Sequence, residues 1–148
     1  MPPTPIIGYP DEALCQAFDC FEGNLDTQYI TAIAPKTTTY LGYQYSIITW
    51  LAGLTILPVL PRVASISYGG PEPYYTTEHV ALFDVEAIKL SAMGVTIVAA
   101  SGDDGASSFL ARGDPAYCGY AASYPASSQY VLAVGATSGP GILFTKAF

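Results

Sequence analysis

Two groups of acidic residues have types and spacing that could do chemistry. The first is Asp103-Asp104, inside Ser101-Gly102-Asp103-Asp104-Gly105-Ala106. It directly follows the apolar, β-branched run Val95-Thr96-Ile97-Val98-Ala99-Ala100. That run reads as a buried parallel strand. Carboxylates at the carboxyl end of such a strand are not needed for packing, and that edge is where open α/β sheets place their ligands. The flanking glycines let the backbone turn sharply. Two chemistries suit the pair. The carboxylates could hold Mg²⁺ for phosphotransfer, or one of them, protonated in acid, could donate a hydrogen bond to a developing oxyanion.

The second group is Glu22 and Asp26, four residues apart on an expected helix and therefore on one face. Such pairs are commonly solvated surface. Brought together out of water they cannot both ionise easily, which makes an acid/base pair suited to low pH. The single histidine, His79, falls in the first turn of an expected helix and reads as an exposed helix-start residue. A Ser-His-Asp or Cys-His hydrolase needs a histidine to take the nucleophile's proton, so that chemistry has little support within these residues.

The elements that must position these groups follow from pattern. Residues 22–33 suggest a short helix, with Leu25, Tyr29 and Ile30 at helical spacing and Pro35 as its stop. Residues 1–20 give no element, and 36–45 read as a Thr- and Tyr-rich loop. An apolar helix over 46–56 surrounds Trp50. Arg62 to Ser67 alternates as a strand, broken by Tyr68-Gly69-Gly70-Pro71. A helix over 78–93 has Thr76 or Thr77 as N-cap, Gly94 as its C-terminal glycine, and Val80, Phe83, Ala87 and Leu90 on one face. A strand over 95–100, a long loop over 107–128 and a strand from Tyr130 to Gly135 complete the series. The order implies an α/β fold with a parallel sheet, right-handed crossovers and flanking helices. Tyr117, Tyr120, Tyr124 and Tyr130 read as packing and loop structure, because basic residues are not interleaved with them as base stacking requires.

Composition bounds the rest. The 148 residues suffice for one domain with a core. Hydrophobic residues make up 51% and charged residues 11%, with mean hydropathy +0.34, which excludes disorder and suggests surface that other segments normally cover. A net charge of −7 and a pI near 4.2 argue against nucleic acid as a partner. Cys15, Cys20 and Cys118 lack metal-site spacing and read as buried thiols, or one disulfide with an odd thiol left over. No run of about 18 apolar residues predicts a membrane span, and Met1-Pro2-Pro3-Thr4-Pro5 has no signal-peptide pattern.

Several segments together resemble a known family. Val63-Ala64-Ser65-Ile66-Ser67-Tyr68-Gly69-Gly70 is similar to the substrate-binding strand of subtilisin-like peptidases, and Val98-Ala99-Ala100-Ser101-Gly102-Asp103 to the strand and loop bearing their oxyanion-hole residue. Tyr124-Pro125-Ala126 with Tyr130-Val131-Leu132-Ala133-Val134-Gly135-Ala136-Thr137 resembles a third block of that fold. Asp103 in Ser-Gly-Asp-x-Gly-Ala, and Glu22-Gly23-Asn24-Leu25-Asp26-Thr27-Gln28-Tyr29, resemble the sedolisin family of serine-carboxyl peptidases. Trp50 to Pro61, followed by Ser67-Tyr68-Gly69, is similar to its tripeptidyl-peptidase branch.

The resemblance covers roughly residues 20–140 and implies a partial subtilisin-like domain over 1–148, with 1–19 and 138–148 unplaced. It implies an endopeptidase or tripeptidyl-peptidase active in acid on peptides and proteins, placed outside the cell or in a lysosome or vacuole. By the same resemblance Glu22 is the general base, Asp26 orients it, and Asp103 is the oxyanion donor. Ser67, Tyr68 and Gly69 pair with substrate backbone, and Trp50 packs in the core or lines a specificity pocket. The family's nucleophile, in Gly-Thr-Ser, and its Ca²⁺ site are expected outside this stretch, so the chain reads as a fragment inactive by itself. A non-catalytic peptide-binding pseudo-peptidase is the alternative, with Mg²⁺-dependent phosphotransfer behind it.

Overall fold

The computed structural model describes residues 6–8, 21–43 and 46–136. They fall into two compact units, 1–50 and 51–148.

In the first unit, strand β1 (Ile6–Gly8) pairs in parallel with β2 (Leu41–Tyr43), Ile6 beside Leu41 and Gly8 beside Tyr43. Helix α1 (Phe21–Ile33) lies between them in sequence. Its threonines turn inward on the helix itself: Thr27 Oγ1 donates to the Gly23 carbonyl at 2.7 Å and Thr31 Oγ1 to that of Thr27 at 2.6 Å. None of its residues is buried. Helix α2 (Ile47–Leu54) spans the boundary in sequence, and its Leu51 and Leu54, which belong to the second unit, are buried.

The second unit is built on three parallel strands, β3 (Val63–Ile66), β5 (Thr96–Ala100) and β7 (Leu132–Val134), in the order β3-β5-β7. Val63 lies beside Thr96 and Ile66 beside Ala99; on the other side Val98 lies beside Leu132 and Ala100 beside Val134. A two-residue strand β4 (Gly70–Pro71) pairs antiparallel with β6 (Ser123–Tyr124). Helix α3 (Thr77–Ala92) connects β3 to β5 and packs on β5.

The ends of α3 are set by local chemistry. Thr76, in extended conformation, accepts the His79 amide through Oγ1 at 3.2 Å, so Thr76 is the N-cap. At the other end Gly94 takes φ +87°, and the Val95 amide returns to the Leu90 carbonyl at 3.0 Å.

The core is one-sided. Phe83, Ala87 and Leu90 of α3 are buried, as are Ala64, Ile66, Ile97 and Ala99 on the facing side of the sheet. The period of two sends the alternate residues to the opposite face. There Val63 is 58% and Leu132 59% exposed.

Several expectations need correction. Residues 36–45 are not all loop, since Leu41–Tyr43 forms β2, and the N-terminal stretch contributes β1. The segment 107–128 holds 3₁₀ turns at Phe109–Arg112 and Pro115–Tyr117, and β6. Two- and three-residue strands are too short to leave a periodicity. Cys118 is an exposed free thiol rather than a buried one, whereas Cys15, Cys20 and the tail 137–148 lie outside the described residues.

Candidate active site

The carboxyl edge of the β3-β5-β7 sheet gathers the loops that follow each strand. After Ala100 the Ser101 amide donates to the Val134 carbonyl at 2.9 Å, which fixes the start of the acidic loop to the end of β7. Gly102 then takes φ +94°, a left-handed conformation that side-chain-bearing residues resist. This turn puts Asp103 in solvent. A Cβ on Gly102 would stand 3.7 Å from Ser123 Oγ, so β6 passes close to the turn.

Asp104 has a different environment. Its carboxylate is bound in a fork by Arg112, with Nη2 on Oδ2 at 2.9 Å and Nε on Oδ1. The hydrogen bond to Asp104, and then its charge, hold the Arg112 guanidinium above its ordinary pKa, and the charge of Asp103 adds to the effect. Between the partners the chain makes a 3₁₀ turn at Gly105–Ser107 and places Ser108 at φ 60°, ψ 174°. The Ser108 hydroxyl accepts the Leu110 amide at 3.4 Å. The Ala121 amide closes on the Ala106 carbonyl at 2.7 Å.

Beside this loop lies the segment leaving β3. Ser67 is half-buried, Gly69 is exposed, and Tyr68 is 72% exposed. The β3–β5 register ends with Ile66 beside Ala99, just before both segments. A Cβ on Gly69 would meet the Tyr124 carbonyl oxygen at 2.3 Å, and the Glu72 amide donates to the Ala122 carbonyl at 2.9 Å. Ser67–Gly69 and Gly102–Asp103 thus share one edge, with β6 alongside both.

Behind that edge Tyr124 is fully buried in an aromatic cluster. Its ring lies 4.3 Å from Tyr75, 5.3 Å from His79 and 5.3 Å from Phe83. Burial raises the Tyr124 phenol pKa well above its usual value, with Tyr75 and Asp84 adding to the shift. The expectation for His79 changes here. The crossover returns the start of α3 to the carboxyl edge of the sheet, and His79 is half-buried against Tyr75 and Tyr124, not exposed. Of the four tyrosines read as packing, Tyr124 alone is core; Tyr117 and Tyr120 are exposed.

The remaining candidates lie in the first unit. Glu22 is exposed and Asp26 half-buried, one turn apart on α1. The next row round that helix, Phe21, Leu25, Tyr29 and Ile33, is apolar and exposed, Ile33 to 80%. Trp50 is half-buried against Gly42: a Cβ there would overlap the indole, 2.0 Å from Nε1.

Comparison with known proteins follows the same geography. No family model matches the chain. Tripeptidyl-peptidase 1 of Dictyostelium discoideum is 39% identical over 122 residues, which is 77% of this chain and 19% of that protein. Tripeptidyl-peptidase 1 of Homo sapiens is 32% identical over 124 residues, 79% of this chain and 22% of that protein. Among solved structures, Pseudomonas sedolisin, a serine-carboxyl proteinase complexed with two molecules of pseudo-iodotyrostatin, superposes with a TM-score of 0.54 at 25% identity. That match covers 68% of this chain and 30% of the sedolisin chain.

The chain belongs to the sedolisin family. It shares the α/β architecture of Pseudomonas sedolisin over the matched part, and it spans about a fifth of the length of the curated relatives it matches, 19% and 22%. In this sedolisin-family chain the residue that sequence reasoning passed over is Arg112. Its partner Asp104 stands eight positions earlier, which in a helix or a strand would be about 12 Å or about 26 Å away and out of contact. The fold of the intervening loop alone makes the contact.

Proposed function

We propose that this stretch carries the acid–base pair and the oxyanion donor of a serine-carboxyl peptidase that works in acid on peptides and proteins. The observation that carries the reading is the separation of two adjacent carboxylates. Asp103 stands in solvent at the turn beyond β5, whereas Arg112 engages Asp104. A protonated Asp103 can donate to an oxyanion; an ionised one would repel it.

The roles divide by chemistry. Glu22 takes the proton of the attacking serine hydroxyl, and Asp26, one turn on, orients it. A carboxylate is too weak a base to do this efficiently at neutral pH, and protonation of Asp103 also requires acid, so both demands meet in one pH range. Ser67–Gly69 offers backbone to an extended peptide beside the Asp103 turn. Trp50 packs on Gly42 and takes a structural part, with its exposed portion available to a substrate side chain. This chemistry suits an acidic compartment, lysosomal or vacuolar, or the cell exterior.

The Ca²⁺ of the family has no fitting donor set among the described residues, where no group of three or more His, Cys, Asp or Glu comes together. The Mg²⁺ phosphotransfer reading is weakened by the Arg112 fork, which occupies both oxygens of Asp104.

No Gly-Thr-Ser occurs in the 148 residues. The 148-residue chain by itself is therefore expected not to hydrolyse peptides; peptide binding without cleavage would favour the alternative, a non-catalytic pseudo-peptidase. The test is an internally quenched peptide assay from pH 3 to 7 on a longer chain that joins this stretch to a Gly-Thr-Ser segment, and on its Asp103→Ala variant, which has no donor at that position. A loss of about 10²–10³ in kcat is expected. An Asp103→Ala enzyme with wild-type turnover would sink the assignment.

A further inference from the structure

We infer that Arg112 is a positioning residue for the Asp103 turn, acting through a bidentate clasp on Asp104 that closes the loop 104–112 upon itself; this rests on the peptidase reading above. Four observations converge. The guanidinium fork engages both oxygens of the residue next to Asp103. The loop it closes contains Ser108 at φ 60°, ψ 174°, a conformation that costs about 1–3 kcal/mol and persists only where its surroundings over-determine it. The opposite side of the loop is pinned by the Ala121 amide on the Ala106 carbonyl at 2.7 Å. Gly102 and Gly105, at φ +94° and +61°, flank the acidic pair and would otherwise leave it free to swing.

The clasp also sorts the charges. Two neighbouring carboxylates repel, and one that is bound in a fork no longer presents a bare like charge to the other. Arg112 thereby leaves Asp103 as the single uncommitted carboxyl at the edge. A planar fork does this and a point charge does not, since only the guanidinium fixes both carboxylate oxygens and hence the side chain's orientation.

Arg112 is 66% exposed, so its replacement should leave the fold intact. Thermal melts of each variant verify this. In the same longer chain that includes a Gly-Thr-Ser segment, Arg112→Gln and Asp104→Asn should each lower kcat about tenfold to a hundredfold with KM nearly constant. The double variant should lose no more than either single one, because both remove one clasp. Arg112→Lys should recover only a minor part of the loss. In an Asp103→Ala background, Arg112→Gln should have no further effect, since its action runs through the Asp103 side chain.

Full recovery by Arg112→Lys, additive losses in the double variant, or an undiminished Arg112→Gln effect in the Asp103→Ala background would each overturn the clasp. If Asp103→Ala is impaired as expected while Arg112→Gln is not, the clasp fails and the peptidase reading stands. If Asp103→Ala is itself unimpaired, the peptidase reading fails and the role of Arg112 falls with it.

Discussion

Gly69 and Tyr124 meet backbone to backbone: a Cβ on Gly69 would lie 2.3 Å from the Tyr124 carbonyl oxygen. Neither partner is a flexible side-chain tip that could move aside. Gly69→Ala must therefore push the substrate-side segment off β6 and disturb the adjoining β4–β6 pair. The expected loss is about 1–3 kcal/mol, the usual range for overpacking, read as a lowered urea midpoint with an unchanged slope. A midpoint within error of wild type would refute the close approach.

Tyr124 offers a pH test. Its hydroxyl is buried and has no hydrogen-bond partner among the described residues. Burial raises its pKa above the ordinary value of 10.0. The neutral phenol is favoured by folding, so this contribution is complete below about pH 10 and is lost as pH rises above it. Tyr124→Phe should be neutral to about 1 kcal/mol stabilising at pH 7, because it removes an unpaired polar group. It should also flatten the alkaline fall in stability, leaving the smaller slope from Tyr75, whose pKa burial also raises. Denaturant titrations at pH 7 and above pH 10 decide it.

The two faces of the sheet should respond differently to truncation. Ile97 is buried against α3, and Ile97→Ala is expected to cost about 2–5 kcal/mol. Leu132 is 59% exposed on the other face, and Leu132→Ala should cost under about 1 kcal/mol. Equal losses in the two melts would mean that the outer face is covered.

Ser108 should gain from simplification. Its φ of 60° with ψ of 174° is territory that glycine enters freely. Ser108→Gly relieves the strain, gives up one long hydrogen bond to the Leu110 amide at 3.4 Å, and loosens the unfolded chain. The net expectation is roughly 1 kcal/mol of added stability, seen as a higher melting temperature. A lower one would show that the hydroxyl contributes more than the strain removes.

Much of the second unit was legible because its signals are local. Helix α3 announces itself through Thr76 and Gly94, and its buried face through Phe83, Ala87 and Leu90. Strands β3 and β5 show as β-branched runs, and the turn after β5 as glycines around carboxylates. The short pairs β1–β2 and β4–β6 were not legible, since each depends on a partner distant in sequence and on two or three residues. His79 illustrates the same limit. Its position at a helix start was readable, but Tyr75 and Tyr124 close around it from segments that no spacing connects. In the candidate site, the oxyanion turn and the Glu22–Asp26 spacing were visible in the residues, whereas the Arg112 fork exists only once the loop has folded.

The register of β5 against β3 and β7 has a consequence for fidelity. A slip of one residue would carry Asp104 to the place of Asp103 and take Arg112's partner out of reach. The same slip would turn Ile97 and Ala99 out of the core and into water, because strand side chains alternate faces. Exposing a side chain the size of Ile97 alone costs about 1.5–3 kcal/mol. A misregistered copy with the wrong carboxylate on offer is thus also a less stable copy, so the packing of two apolar residues beneath the sheet proofreads which of two identical acids reaches the edge.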